Sequence, residues 1–172
     1  MAQDRQGAGF DARDNDGWRI ERVGRAHAGV IAQMHRLCFA DAWSEADVAA
    51  LIDMLGAFAL LAVAGHEPVG FVLVRAVADE AEILALCVLE ERRRQGVGDA
   101  LLNALARHCA QCGIGRLVLE VAIDNDAARA LYAAHDFAHV GRRARYYKLP
   151  NAPSDAPAGA AFIDGLVLAR TL

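Results

Sequence analysis

Glu120 stands inside an apolar run, Leu117-Val118-Leu119-Glu120-Val121. A carboxylate buried in such a run without a partner is costly, so proton transfer is a better reason for it than for a surface glutamate. Glu82 opens an earlier apolar run and offers a second carboxylate. A glutamate at a strand edge can equally be a solvated side chain. Tyr132 has an ordinary pKa of about 10, so it is protonated at neutral pH and can donate a proton. Its alternative is a packing tyrosine with its hydroxyl at the surface.

A different chemistry is written in 92–98, Arg92-Arg93-Arg94-Gln95-Gly96-Val97-Gly98. An apolar run precedes it, and a stripe of Val97, Leu101, Leu105 and Cys109 at helical spacing follows. Strand, glycine turn and helix in that order suit a phosphate. Gly96 and Gly98 permit positive φ and close backbone approach. Successive N–H groups make an anion nest, and the helix N-terminus adds unpaired donors and its dipole. The arginines supply mobile positive charge. No Gly-Lys-Ser/Thr follows and the three-glycine dinucleotide spacing is absent, which excludes those two phosphate motifs. An ordinary surface turn remains the plain alternative.

The elements that must position these groups follow from periodicity. At 172 residues the chain is long enough for one domain with a substantial core. Residues 1–17 are polar, with Phe10 the only bulky apolar side chain, and are expected to have little structure. Strands are expected over 18–23, 58–64, 69–77, 82–89, 115–122, 137–149 and 162–169, and helices over 26–39, 44–55, 97–112 and 127–134. Ser44 with Asp47 reads as a weak capping box, and Gly56 as the stop of that second helix. The stretch 151–159, with Pro153 and Pro157, reads as a loop. Strand 82–89, helix 97–112 and strand 115–122 form a right-handed βαβ unit with a parallel pair. Short turns join the other neighbours and imply antiparallel pairing. The fold class is α/β (α+β): a mixed, mostly antiparallel sheet of about seven strands with about four helices.

Composition excludes several classes. The net charge of −4 argues against a general nucleic-acid binder. No apolar stretch of about 18 residues could span a bilayer, and no apolar leader is visible, so a cytoplasmic protein is expected. Cys38, Cys87, Cys109 and Cys112 lack a companion Cys/His pair at zinc spacing and read as core or surface thiols, with no metal site. Oligomeric state is left open.

The chain resembles the GNAT N-acetyltransferases. Arg93-Arg94-Gln95-Gly96-Val97-Gly98 matches their Arg/Gln-x-x-Gly-x-Gly/Ala loop. Asn125-x-x-Ala128-x-x-Leu131-Tyr132, closing with Phe137, matches a second motif. The resemblance spans 18–172 and implies a single GNAT domain whose central parallel strands splay apart. It also implies acetyl-CoA as cosubstrate. The pyrophosphate would lie on 93–98 with Asp99 and Ala100 opening the helix, and the pantetheine along Leu86, Cys87 and Val88. Asn125 and Tyr132 would touch the cofactor as well.

Within that family the chain is similar to the RimI-type enzymes, which acetylate the N-terminal alanine of a ribosomal protein. The carriers are Phe39-Ala40-Asp41-Ala42-Trp43-Ser44, Leu119-Glu120-Val121 ahead of Asn125 and Tyr132, and Arg145-Tyr146-Tyr147. The likeness implies Glu120 as base and Tyr132 as acid, with Phe39, Trp43, Arg145 and Tyr146 at the peptide entrance. Glu82, which matches the glutamate of the histone-type branch, stays as the alternative base. Three departures stand out. Asp99 is unusual beside bound phosphates. His135-Asp136-Phe137 replaces Leu-Gly-Phe, and 151–159 lacks the usual Asp-Gly-x-x-Asp segment. Amide formation from a thioester needs a held carrier, a neutral amine, donors for the oxyanion and a proton for the thiolate, and no enzyme nucleophile. The acceptor is then a protein N-terminus. The alternatives are a small amine or antibiotic, and a non-catalytic acyl-CoA-binding module.

Overall fold

A computed structural model describes residues 11–13, 18–148 and 162–172. The strands are β1 (Asp11–Arg13), β2 (Arg19–Val23), β3 (Ala57–Ala64), β4 (Glu67–Val77), β5 (Glu80–Val88), β6 (Arg116–Ala122), β7 (Ala138–Lys148) and β8 (Phe162–Thr171). The α-helices are α1 (Ala28–Cys38), α2 (Glu45–Ile52), α3 (Val97–Gln111) and α4 (Asp126–Ala134). The strands form one eight-stranded sheet in the order β1-β2-β3-β4-β5-β6-β8-β7. Among the described strands, only β5 and β6 pair in parallel, as the βαβ reading requires.

Three expectations are corrected. Asp11–Arg13 pairs antiparallel with β2 as an edge strand, so 1–17 is not wholly without structure; the other residues of that stretch, and the loop 151–159, lie outside the described residues. The helix α2 stops at Ile52 rather than near Leu55, with Asp53 as its C-cap. β6 and β7 do not pair, because β8 inserts between them and bonds to both.

The sheet is apolar on both sides, which explains the unbroken run of β3. Phe58, Leu60 and Ala62 pack with Leu101, Leu102 and Leu105 of α3. Ala59, Leu61 and Val63 pack with Ile31 and Met34 of α1 and Val48 of α2. Ser44 caps α2 with the reciprocal bonds of a capping box: Asp47 N–H donates to Ser44 Oγ and Ser44 N–H to the Asp47 carboxylate.

Reading all four cysteines as single thiols is also corrected. Cys38 at the end of α1 is disulfide-bonded to Cys87 of β5, while Cys109 and Cys112 are free. Burial pushes the Cys109 thiol up to about 12, which leaves it inert. The Cys38–Cys87 bond closes a loop with a sequence separation of 49, and a loop of that size restricts the unfolded chain by roughly 2–4 kcal/mol. A reductant is expected to lower the unfolding free energy by about that amount in a denaturant titration. Coincident midpoints with and without reductant would mean that the two thiols are unbonded in solution.

Candidate functional site

The site begins where the parallel pair comes apart. β5 and β6 are in register only from Glu80↔Arg116 to Ile83↔Leu119. At the next residue, Leu84, β5 carries a bulge: Leu73 of β4 faces Ala85 and Val74 faces Ile83. A bulge bends its strand and sharpens the twist. β6 meanwhile stays paired with β8 as far as Ala122↔Gly165. The β6-facing backbone of 84–88 is therefore left without a strand partner, and a gap opens through the sheet.

Two carboxylates face this gap from one side. Leu117, Leu119 and Val121 point into the α3 core, so alternation turns Glu120 to the opposite face. Glu82 pairs with Val118 and shares that face. Both glutamates line one cavity of about 230 Å³, together with Trp43, Leu51, Ile83, Leu84, Tyr146 and Tyr147. Glu120 is 13% exposed and forms an ion pair with Arg143. Its hydrogen bond with the Tyr146 hydroxyl is the chief reason that the Tyr146 pKa is raised. Glu82 is exposed, and its carboxylate makes no ion pair or hydrogen bond among the described residues.

Arg143 is not prominent in the sequence as a site residue, and strict alternation would set Tyr147 on the face opposite Tyr146, although both stand in the Arg145-Tyr146-Tyr147 stretch. Adjacent residues of a regular strand point to opposite faces. Here the register jumps from Arg143↔Gly165 to Tyr147↔Ile163, and Arg145 takes a left-handed φ of 54°. Asp164 holds this bulge, accepting from the Arg145 N–H at 2.8 Å and from the Arg142 guanidinium. Those bonds hold the Asp164 carboxyl below its ordinary pKa. The bulge brings Tyr146 and Tyr147 into the same cavity. Burial, and then the Glu120 charge, push Tyr147 up to about 12.

Phe39 and Trp43 have different placements. Both rings stack on His35, at 4.3 and 4.2 Å between centroids. The Trp43 N–H donates to His35 Nδ1 at 3.2 Å, and burial lowers the His35 pKa. A neutral imidazole thus staples the α1–α2 connection. Trp43 reaches the cavity; Phe39 and Arg145 are not among its lining residues.

Tyr132 lies on the other face of the sheet. It is 7% exposed, packs edge-on against Phe137 and belongs to the α3-side core. Burial first, and then Tyr147, raise its pKa, so it keeps its proton throughout the neutral range. Its hydroxyl makes no hydrogen bond to another described residue. Asn125 caps α4, its side-chain oxygen accepting from the Ala128 N–H at 3.1 Å, which leaves its amide NH₂ unused. Asp136 adopts φ 61°, the left-handed turn in which Gly is usual.

The glycine turn has the geometry of an anion nest. Arg94 and Gly96 are left-handed, with φ of 61° and 87°. Gly96 is the N-cap of α3 and supplies no side-chain cap, so the first-turn N–H groups of Val97, Gly98 and Asp99 remain open to a ligand. The loop is braced from within: Gln95 Nε2 donates to Glu91 O at 2.9 Å and Arg93 Nε to Val88 O at 3.1 Å. Arg92 reaches Glu67 at 3.4 Å. Of the three arginines, Arg94 is the one that makes no side-chain bond to a described residue. Val88 O is likewise already engaged, and the Cys87 sulfur is turned away to Cys38. Gly98 also serves packing: a Cβ there would lie 3.0 Å from Leu131 of α4. Ala100 is buried behind the turn. Among the described residues, no group of His, Cys, Asp and Glu is arranged to hold a metal, and no helix is long and apolar enough to cross a membrane.

A splayed parallel pair, a nest before the following helix and an acid-lined cavity at the gap define an acyl-CoA-dependent transferase type of fold. The acetyltransferase (GNAT) family matches residues 30–137, well over half of the chain, and the protein belongs to that family. The [ribosomal protein bS18]-alanine N-acetyltransferase of Escherichia coli strain K12 is 36% identical over 86 residues, covering 50% of this chain and 58% of that protein. The chain thus matches a little over half the length of that curated relative. The mycothiol acetyltransferase of Corynebacterium efficiens is 38% identical over 85 residues, covering 49% of this chain and 29% of that protein. Among solved structures, the ribosomal-protein-S18-alanine N-acetyltransferase of Escherichia coli superposes with a TM-score of 0.78 at 25% identity, covering 90% of this chain and 93% of the other.

Proposed function

We propose that this protein transfers the acetyl group of acetyl-CoA to the α-amino group of a protein N-terminus, by direct attack without a covalent enzyme intermediate. The observation that carries the reading is the cavity holding Glu82 and Glu120 at the point where β5 leaves β6. Acetyl-CoA supplies the activated acyl group. The nest of 94–96 and the first turn of α3 suit its pyrophosphate, with the Arg94 guanidinium beside them, and Asn125 would touch the cofactor elsewhere along its length. The unpaired edge of 84–88 gives backbone N–H donors toward the thioester oxygen. Glu120 takes the proton from the ammonium, directly or through water, and Glu82 is the alternative base. Tyr132 gives its proton to the leaving sulfur. Trp43 and Tyr146 wall the acceptor, with Phe39 behind Trp43 through His35 and Arg145 shaping the bulge. A cytoplasmic setting is part of this reading.

The likeness to the bS18-alanine enzyme favours a small N-terminal residue as acceptor. An α-amino group has a pKa near 8 against about 10.4 for lysine, so a modest base neutralises it. The mycothiol acetyltransferase likeness favours a second reading, a small-molecule amine. Mass spectrometry after incubation with acetyl-CoA, peptides with free N-terminal alanine and a panel of small amines tests both. Acetyl groups on the peptide α-amine are expected. Acetylation of only lysine Nε atoms would sink the N-terminal assignment, acetylation of only the small amines would establish the second reading, and no turnover with intact acetyl-CoA binding would leave a binding module.

A further inference from the structure

Two residues that depart from the family pattern, Asp99 and His135, are bonded to each other. Asp99 Oδ1 and His135 Nε2 are 2.9 Å apart. An ionised carboxylate only accepts, so the imidazole donates from Nε2. The histidine side chain is 9% exposed and the aspartate 55%. Asp99 is the third residue of α3 after the N-cap Gly96, and His135 is the C-cap of α4. The Gly98–Leu131 contact keeps these two helix ends together.

The third position of a helix has a known habit. An acidic side chain there folds back onto the open N–H of the N-cap. Asp47 does this in α2 of this same chain, donated to by the Ser44 N–H at 2.8 Å. Asp99 does not: α3 has no side-chain cap. The two N-caps differ, Ser44 being extended and Gly96 left-handed with no side chain, and the Asp99 carboxylate is in addition held by the histidine.

We propose that His135 is a positioning residue that holds Asp99 away from the N-terminus of α3 and so keeps the first-turn N–H groups open for the pyrophosphate of acetyl-CoA. This rests on the reading of the glycine turn as the acetyl-CoA site. Without His135 the carboxylate returns to the helix end, where it occupies the donors and opposes a phosphate by its charge. The two departures are then one device, in which an acid tolerated beside phosphates depends on a histidine from the next helix.

The test uses the full chain and four variants: His135→Leu, His135→Gln, Asp99→Ala and the double variant Asp99→Ala/His135→Leu. Calorimetric titration with CoA is expected to show roughly fivefold to tenfold weaker binding for His135→Leu, the scale of one side-chain cap. His135→Gln keeps a donor and should retain most of the affinity. The double variant should recover it, which lost packing alone would not do. In the ligand-free protein, amide exchange at the helix end, Gly96 above all, should slow in His135→Leu and return to normal in the double variant. Unchanged affinity and exchange in His135→Leu would overturn the proposal, as would a double variant no better than the single one. The exchange pattern needs no cofactor. If it appears while the unaltered protein fails to bind CoA, the device stands and the cofactor reading falls.

Discussion

Glu120→Gln is expected to lower kcat/KM by roughly 10²–10⁴-fold, the usual contribution of a general acid–base group, and to do so most severely at low pH. An α-ammonium with a pKa near 8 must lose its proton before it can attack. With Glu120 as the base, the unaltered protein would depend on it below that pH, whereas above it the amine is already neutral, so rising pH should partly rescue the variant. Glu120 lies at the first residue of β6 beyond its pairing with β5, 13% exposed and aimed into the cavity. Its carboxylate pairs with Arg143, whose side chain is 59% exposed. An incoming ammonium can take the place of so solvated a guanidinium at small cost. For the same reason, loss of the Arg143 pair should leave the variant folded. Initial rates measured from pH 6 to 9 for Glu120→Gln and Glu82→Gln separate the two carboxylates. A near-normal Glu120→Gln enzyme beside a crippled Glu82→Gln enzyme would transfer the role to Glu82.

The two glutamates illustrate how far local sequence carries. Alternation in an apolar strand is enough to mark Glu120, and the βαβ order is enough to bring β5 beside β6. The capping box at Ser44 and the left-handed turn at Asp136 are likewise set by a few neighbouring residues. What stayed hidden depends on partners distant in the chain. The bulge at Leu84 exists only against β4. Tyr147 joins Tyr146 in the cavity because Asp164 of β8 pins a distortion in β7, which no periodicity in β7 announces. Arg143 finds Glu120 across β8, the strand that alternation could define but not insert. Similarly, Cys38 and Cys87 meet because α1 crosses β5, a packing event with no spacing rule. Asp99 and His135 each looked like an isolated exception until the ends of α3 and α4 were seen side by side.

Tyr132→Phe should reduce kcat by a comparable factor, roughly 10²–10⁴, with little change in acetyl-CoA affinity and no rescue across pH 6 to 9. The flat profile distinguishes it from Glu120→Gln. Burial and the neighbouring Tyr147 raise the Tyr132 pKa from its ordinary 10, so the hydroxyl is fully protonated throughout that range and its removal costs the same at each pH. A raised pKa also makes a weaker acid. With Tyr132 as donor, the leaving thiolate would have to be the stronger base, which requires it to be poorly solvated. The ring packs against Phe137, while the hydroxyl makes no bond to any described residue. Phenylalanine therefore keeps the packing and removes only the donor. Melting temperature and calorimetric CoA affinity should match the unaltered protein, and single-turnover rates should carry the whole loss. A Tyr132→Phe enzyme of undiminished rate would mean that the sulfur departs unaided and that Tyr132 serves only to seat α4 on the core.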